Sequence, residues 1–175
     1  VDGLSGTLSF AAGVTSQTVT LALVDDAVFG ASERCGINLS SGVNAAIGDG
    51  QGVGTIRDDG TGGGGTDDDT PSLSVSGAAV IEGTDNFAVF TVSLSNASTS
   101  DVSFNLALAN STALGGGVDY GTGGAGNLQV FVGGVWVDAA SATIAAGQTS
   151  VQVRTPVSDD LLDASSEAFT LTAPG

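Results

Sequence analysis

The chain has 175 residues, of which 19 are acidic and three are basic, so its formal net charge is −16. This charge repels nucleic-acid phosphates and anionic lipids, and no apolar run of about 20 residues is present, so we expect no nucleic-acid partner and no membrane insertion. The chain has no histidine and a single cysteine, Cys35, which excludes histidine-based triads, His-ligated zinc, internal disulfides and thiolate metal cages.

Strands are predicted along the whole chain because apolar and polar residues alternate with a period of two. The first strands are predicted at Thr7–Phe10, Thr18–Leu23, Cys35–Leu39 and Val53–Arg57. Further along, strands are predicted at Leu73–Ser76, Ala79–Glu82, Ala88–Leu94, Val102–Leu108, Leu128–Val132, Val151–Val157 and Ala168–Thr172. No stretch has a helical period, and turns rich in Gly, Asn and Asp separate the strands. The pattern therefore predicts an all-β antiparallel sandwich.

Two stretches of the chain are alike at a constant offset of 134 positions, which pairs residue 10 with residue 144. Phe10-Ala-Ala-Gly-Val-Thr-Ser matches Ile144-Ala-Ala-Gly-Gln-Thr-Ser. The match continues without a gap, and it pairs Asp25-Asp26 with Asp159-Asp160, Glu33 with Glu167, and Cys35 with Phe169. A repeat of this length indicates tandem modules.

The phase of the repeat divides the chain into three parts. Residues 1–59 contain the later strands of one module, residues 60–70 form a linker rich in Gly and Asp, and residues 71–175 contain the next module without its last strand. Each module is therefore expected to be incomplete. The chain starts at Val1 within a strand pattern and without an initiator Met, so we expect it to be a piece of a longer protein.

Several ordered motifs carry a family resemblance. The second copy has Val80-Ile-Glu82-Gly83, Asp119-Tyr120, Ile144-Ala-Ala-Gly147-Gln-Thr, Asp159-Asp160 and Glu167-Ala-Phe169, and the first copy ends on Gly54-Thr-Ile-Arg-Asp58-Asp59. In this combination the motifs resemble the Calx-beta family, whose modules occur in sodium–calcium exchangers and large bacterial surface adhesins. The resemblance implies an immunoglobulin-like sandwich, here as tandem modules cut out of phase, with calcium sites at one end in many members.

The acidic residues form one set in each module. The candidate metal ligands are Asp2, Asp25, Asp26, Glu33, Asp58 and Asp59 in the first, and Glu82, Asp119, Asp159, Asp160, Asp163 and Glu167 in the second. We expect strand order to bring several of them to one pole, where they repel each other unless a cation lies between them. Oxygen ligands without His or Cys favour Ca²⁺. The alternative is that these acids make turns or a solvated surface, and the linker triplet Asp67–Asp69 is open between ligands and spacer.

These features predict a structural, calcium-stabilised repeat of a long extracellular or cell-surface stalk or fibre, like that of an adhesin, whose partners are neighbouring repeats. One alternative is a filament of identical chains, because incomplete sandwiches leave sheet edges that recruit strands. Another is a glycan- or surface-binding module that uses the insertion Gly121–Val137. Its aromatic residues Phe131 and Trp136, with Tyr120, are expected more often in a core. No nucleophile–base pair is evident, so no enzyme is expected.

Overall fold

The computed structural model describes residues 5–61, 67–122, 127–159 and 166–173. Within these ranges the secondary structure is a series of short strands: β1 (Glu33–Asn38), β2 (Gln51–Ile56), β3 (Leu73–Val75), β4 (Phe87–Leu94), β5 (Val102–Asn105), β6 (Ala107–Asn110), β7 (Gln129–Val132), β8 (Val135–Asp138), β9 (Ser141–Ile144), β10 (Ser150–Pro156) and β11 (Phe169–Thr172). The described residues include no helix that is long and apolar enough to cross a membrane.

The N-terminal half, residues 5–61, contains one antiparallel pair, β1 with β2. In its register Glu33 lies opposite Ile56, and Cys35 lies opposite Gly54. The side chains of this half are mostly exposed, with partial burial on one face of β1. The two strands therefore form a ladder without a closed core beneath it.

Two strands predicted in the N-terminal half, Thr7–Phe10 and Thr18–Leu23, are not strands in the structure, so these predictions were wrong. Their counterparts 134 positions later are β9 and β10, and those strands have partners. Strand β9 pairs with β5, while β10 lies between β4 and β7. The described N-terminal half offers no such partner strands. Phe10 and Leu23 consequently remain 55 % and 66 % exposed.

The C-terminal half, residues 67–173, is a sandwich, as predicted. Its larger sheet has the order β3-β4-β10-β7-β8, and two antiparallel pairs, β11-β6 and β5-β9, supply the facing strands. Both layers contribute to one apolar core, which comprises Ala88, Phe90, Val92, Leu94, Phe104, Leu106, Leu128, Val130, Ala142, Ile144, Val153 and Leu171. Strand β10 lies at the centre of the larger sheet, and its Val153 and Thr155 are fully buried.

Two predicted strands of this half differ in the structure. The segment Val102–Leu108 is divided into β5 and β6 because it changes partner. Strand β5 pairs with β9, and the bond from the N–H of Leu106 to the carbonyl of Ala140 at 2.8 Å continues that register, whereas β6 pairs with β11. The segment Ala79–Glu82 forms no strand: residues 79–81 have no regular structure, and a turn begins at Glu82. There the carbonyl of Ile81 accepts hydrogen bonds from N–H groups three and four residues further on, at 3.2 and 2.8 Å. A change of partner strand explains the first difference, and a local turn explains the second.

Two strands were not predicted, β8 and β9. Strand β8 pairs with β7 in a hairpin whose turn is Gly133-Gly134, with φ of +58° and +87°. Positive φ at both turn residues is the conformation that suits the twist of a two-residue hairpin, and glycine adopts it without a steric cost. Outside the core, the hairpin side chains of Phe131 and Val135 are 39 % and 59 % exposed.

Candidate metal site at the junction of the two halves

A cluster of three carboxylates lies where the two halves meet. One oxygen from each of Asp25, Asp67 and Asp69 lies within 4.8 Å of the other two. Asp25 belongs to the N-terminal half, whereas Asp67 and Asp69 lead into the C-terminal half. The cluster therefore joins residues that are about 40 positions apart in the chain.

Backbone hydrogen bonds place the two later acids. The N–H of Gly60 donates to the carbonyl of Asp67, and the N–H of Asp69 donates to the carbonyl of Asp58, both at 2.9 Å. These bonds form a short antiparallel bridge in which Asp59 lies opposite Asp68. Neighbouring side chains on an extended backbone point to opposite sides. Asp67 and Asp69 accordingly share one side, and Asp68 takes the other.

Asp58 also holds the loop that carries Asp25. Its carboxylate accepts a hydrogen bond from the N–H of Gly30 at 3.0 Å, and Asp58 itself is half-buried. Within the loop, the carboxylate of Asp26 accepts from the N–H of Val28 at 2.9 Å. The segment after β2 and the loop before β1 are thereby fixed to each other beside the cluster.

A second set of bonds ties this loop to the C-terminal half. The N–H of Phe29 donates to the carbonyl of Ala97 at 2.9 Å, and the N–H of Thr99 donates to the carbonyl of Phe29 at 2.8 Å. The side-chain amide of Asn96 donates to the carbonyl of Asp69. Polar backbone contacts, rather than a shared apolar core, therefore make the junction around the carboxylates.

Two carboxylates of the cluster, those of Asp67 and Asp69, resist ionisation. The pKa of Asp67 is raised above its ordinary value, chiefly because it hydrogen-bonds to Asp25 and is repelled by the charge of Asp25. The pKa of Asp69 is raised by desolvation first, and then by the charges of Asp25 and Asp58. A nearby cation would stabilise the ionised form of these carboxylates and so remove this penalty.

The two neighbouring acids outside the cluster behave in the opposite way. Hydrogen bonds from Thr61 lower the pKa of Asp59, and hydrogen bonds from Thr70 lower the pKa of Asp68. Their carboxylates are already satisfied as ions by these donors. The pKa of Asp67 is raised and that of Asp68 is lowered. Unneutralised negative charge therefore lies on the side of the linker that carries Asp67.

The donor set fits calcium. Its side-chain donors are carboxylate oxygens from two separate segments of the chain, and Asp26 and Asp58 add charge close to Asp69. Calcium accepts about six to eight oxygen ligands in irregular geometry, whereas zinc and copper favour nitrogen and sulfur ligands. Asp25, Asp67 and Asp69 are the residues that would hold the ion, and it would neutralise their mutual repulsion.

Of the first predicted set, the structure brings Asp25 into the cluster and places Asp26 and Asp58 beside it. Asp59 faces Thr61, whose N–H donates to it at 3.0 Å. Glu33 lies in β1, opposite Ile56. Asp2 lies outside the described residues. Sequence reasoning left Asp67 and Asp69 undecided, and the signal for them was the acidic triplet at the end of a glycine-rich linker.

In the second predicted set, the described segments that carry Asp119, Asp159 and Glu82 lie close together, although their carboxylates do not form a cluster. The carbonyl of Asp119 accepts from the N–H of Ser158 at 2.9 Å, and the carboxylate of Asp159 lies beside Gly83, next to Glu82. The carboxylate of Asp119 accepts from the N–H of Leu114 at 2.6 Å and so closes a turn. Among the described residues no group of three carboxylates meets here. Asp160 and Asp163 lie outside the described residues, and Glu167 precedes β11.

The three aromatic residues of the insertion region differ in their surroundings. Tyr120 is buried, as expected, and its ring stacks on Phe169 with centroids 4.0 Å apart. Phe131 and Trp136 lie on the outer face of the β7–β8 hairpin instead of in the core. The guanidinium of Arg154 lies 4.3 Å from the Trp136 ring centroid, so this face has an aromatic and cationic surface.

Comparison with known proteins agrees with this architecture. A model of the Calx-beta domain matches residues 2–60 and again residues 66–136. No curated protein and no solved structure matches the chain. Calx-beta domains are non-catalytic β-sandwiches that in general bind calcium. The two consecutive matches cover most of the sequence, and the chain belongs to the Calx-beta family.

Proposed function

We propose that this chain is a structural repeat of a long extracellular, adhesin-like stalk or fibre, and that calcium at its module junction stabilises it. The observation that carries the proposal is the position of the cluster formed by Asp25, Asp67 and Asp69. One acid comes from one module and two come from the linker to the next. An ion held by all three would restrain the linker and keep the modules in line.

The electrostatics of the junction support the same proposal. In a chain of net charge −16, the loop and the linker bring like charges together, and Asp67 and Asp69 have raised pKa values there. The contacts between the halves are hydrogen bonds at exposed or half-buried positions, such as those of Phe29 with Ala97 and Thr99. Such contacts stabilise little by themselves, so the junction is where bound calcium would add most.

Thermal unfolding of the full chain in chelator and in calcium tests this function. An ion that binds the folded state alone stabilises it by about 2.7 kcal/mol at a concentration of one hundred times its Kd. For a chain of this size each kcal/mol raises Tm by about 2–4 °C. We therefore expect Tm to rise by roughly 5–10 °C when calcium replaces chelator, with a much smaller rise in magnesium.

Two neighbouring substitutions provide the matched control. Asp67→Asn removes a carboxylate of the cluster, so we expect it to raise Tm in chelator and to reduce the response to calcium. Asp68→Asn removes the same charge from the other side of the linker, where its partner is Thr70, and we expect it to leave the calcium response intact. Equal calcium responses of the two variants, or no response of the parent chain, would refute the site.

A second candidate function is a filament in which neighbouring copies complete each other's sheets. The observation that favours it is the open state of the N-terminal half, where Val24 is 93 % exposed and Leu23 is 66 % exposed. In addition, among the described residues β1 pairs with β2 alone and β11 pairs with β6 alone. Strands that are paired on one side recruit other strands.

A further inference from the structure

We propose that the open edge of β11 is an acceptor site for strand β2 of a second copy of this chain. The proposal rests on the filament candidate and names its interface. It starts from the repeat, in which β11 is the counterpart of β1. Strand β1 pairs with β2, whereas β11 pairs with β6. Strands β1 and β11 hold the same position in their modules, yet each is paired with a different strand.

The backbone phase shows that β11 pairs with β6 through one edge and leaves its opposite edge for the proposed partner. Next to β6, the N–H of Ala168 donates to the Thr112 hydroxyl at 2.8 Å, and its carbonyl accepts from the N–H of Ala113 at 2.9 Å. Because alternate residues of a strand bond to opposite sides, the backbone groups of Phe169 and Leu171 face the other edge. Within the described residues, that edge has no partner strand.

The β1–β2 ladder has the matching phase. The N–H of Leu39 donates to the carbonyl of Gly50 at 2.7 Å, so Cys35 and Ile37, an even number of residues away, also direct their backbone groups towards β2. Cys35 and Ile37 are the counterparts of Phe169 and Leu171. A strand that pairs with β1 therefore finds the same donors and acceptors on β11.

The side chains of β2 also suit this edge. A Cβ added to Gly54 would lie 2.8 Å from the Sγ of Cys35, so a larger residue opposite Cys35 would force its side chain to move. In the equivalent register, Phe169 lies opposite Gly54 and Leu171 lies opposite Gly52. Two glycines leave room for these larger side chains, and an aromatic ring shields a glycine that faces it across a sheet.

Strand β2 can leave its own partner at low cost. Residues 51–55 of β2 are exposed, and only Ile56 is half-buried. On β11 the same strand would cover the edge of a sandwich in which Leu171 is buried and Phe169 packs on Tyr120. The exchange repeats an interface that the chain already forms, which is the condition under which strands swap between identical molecules.

The test uses the full chain and a labelled peptide with the sequence of residues 48–57. This peptide contains one Asp and one Arg, so with capped termini it is not repelled by the chain. We expect saturable binding. N-methylation at Gly52 and Gly54, whose N–H groups face the acceptor, should weaken binding by at least about tenfold. N-methylation at Val53, whose N–H faces away, should leave binding nearly unchanged.

Hydrogen exchange locates the peptide. We expect slower exchange at residues 166–173 and unchanged exchange at residues 33–38. Protection at 33–38 in place of 166–173 would mean that the peptide merely replaces β2 on β1, and it would overturn the proposal. Equal binding of all three peptides, or no saturable binding of the parent peptide, would overturn it as well.

Sedimentation of the full chain tests whether a second copy supplies the strand. We expect association that increases with protein concentration and with salt, because salt screens the repulsion between chains of charge −16. Saturating peptide should return the chain to the monomer. A chain that stays monomeric while the peptide binds would refute the second copy as donor. Neither result depends on the calcium response, so failure of this interface and failure of the junction site can be distinguished.

Discussion

Substitution of Thr155 by valine should stabilise the C-terminal half. Thr155 lies in the central strand β10 with 0 % exposure, and its hydroxyl has no hydrogen-bond partner among the described residues. A buried hydroxyl without a partner costs about 1–3 kcal/mol of desolvation in protein mutational data. Valine has nearly the same shape and the same χ1 preference, so Thr155→Val removes this cost without creating a cavity. We expect the free energy of unfolding to rise by about 1–2 kcal/mol.

Urea unfolding measures this effect, with the midpoint expected to rise while the m-value stays the same. The control is the reverse change two residues away, since Val153 is also 0 % exposed. Val153→Thr introduces a hydroxyl into the same core and should lower the free energy of unfolding by a similar amount. If Thr155→Val lowers the midpoint or leaves it in place, the hydroxyl has a partner and the reasoning fails.

Two further predictions concern the junction and the core. In chelator, the free energy of unfolding should increase as pH falls from neutral to about 4.5, because Asp67 and Asp69 have pKa values above the ordinary 3.8 in the folded state and their penalty disappears on protonation. Saturating calcium should reverse the slope, and thermal melts across this range show both signs; parallel slopes would contradict the prediction. Tyr120→Phe keeps the stacking on Phe169 but loses the hydroxyl bond to Asn110, so urea unfolding should show a loss of about 1 kcal/mol. A loss near the 3–5 kcal/mol of a truncation to alanine would mean that the ring itself has moved.

Sequence patterns predicted the strands of the C-terminal half better than those of the N-terminal half, and pairing explains the difference. The alternation in β4 is matched by burial on one face, because β3 and β10 flank it. The alternation in Thr18–Leu23 is just as regular, yet no strand lies beside it among the described residues. Alternation of apolar and polar residues indicates a segment that could join a sheet, but it does not indicate whether partner strands are present.

The candidate site was predictable in part for a related reason. The acid pair at Asp25-Asp26 follows from the repeat, and its carboxylates were expected to meet other acids of the same module. The structure brings Asp25 to Asp67 and Asp69 instead. That meeting depends on the bonds of Gly60 and Asp69 across the linker, which join two segments without any pattern of their own.

The alternation of the linker acids has a consequence for errors of alignment between repeats. Asp67 and Asp69 face Asp25, while Asp68 faces away. If the segment slipped by one residue, Asp68 would take a place towards Asp25 and its neighbours would turn outward. Three consecutive acids thus keep at least one carboxylate next to Asp25 after such a slip. The connection between modules therefore tolerates a change of one residue in its length.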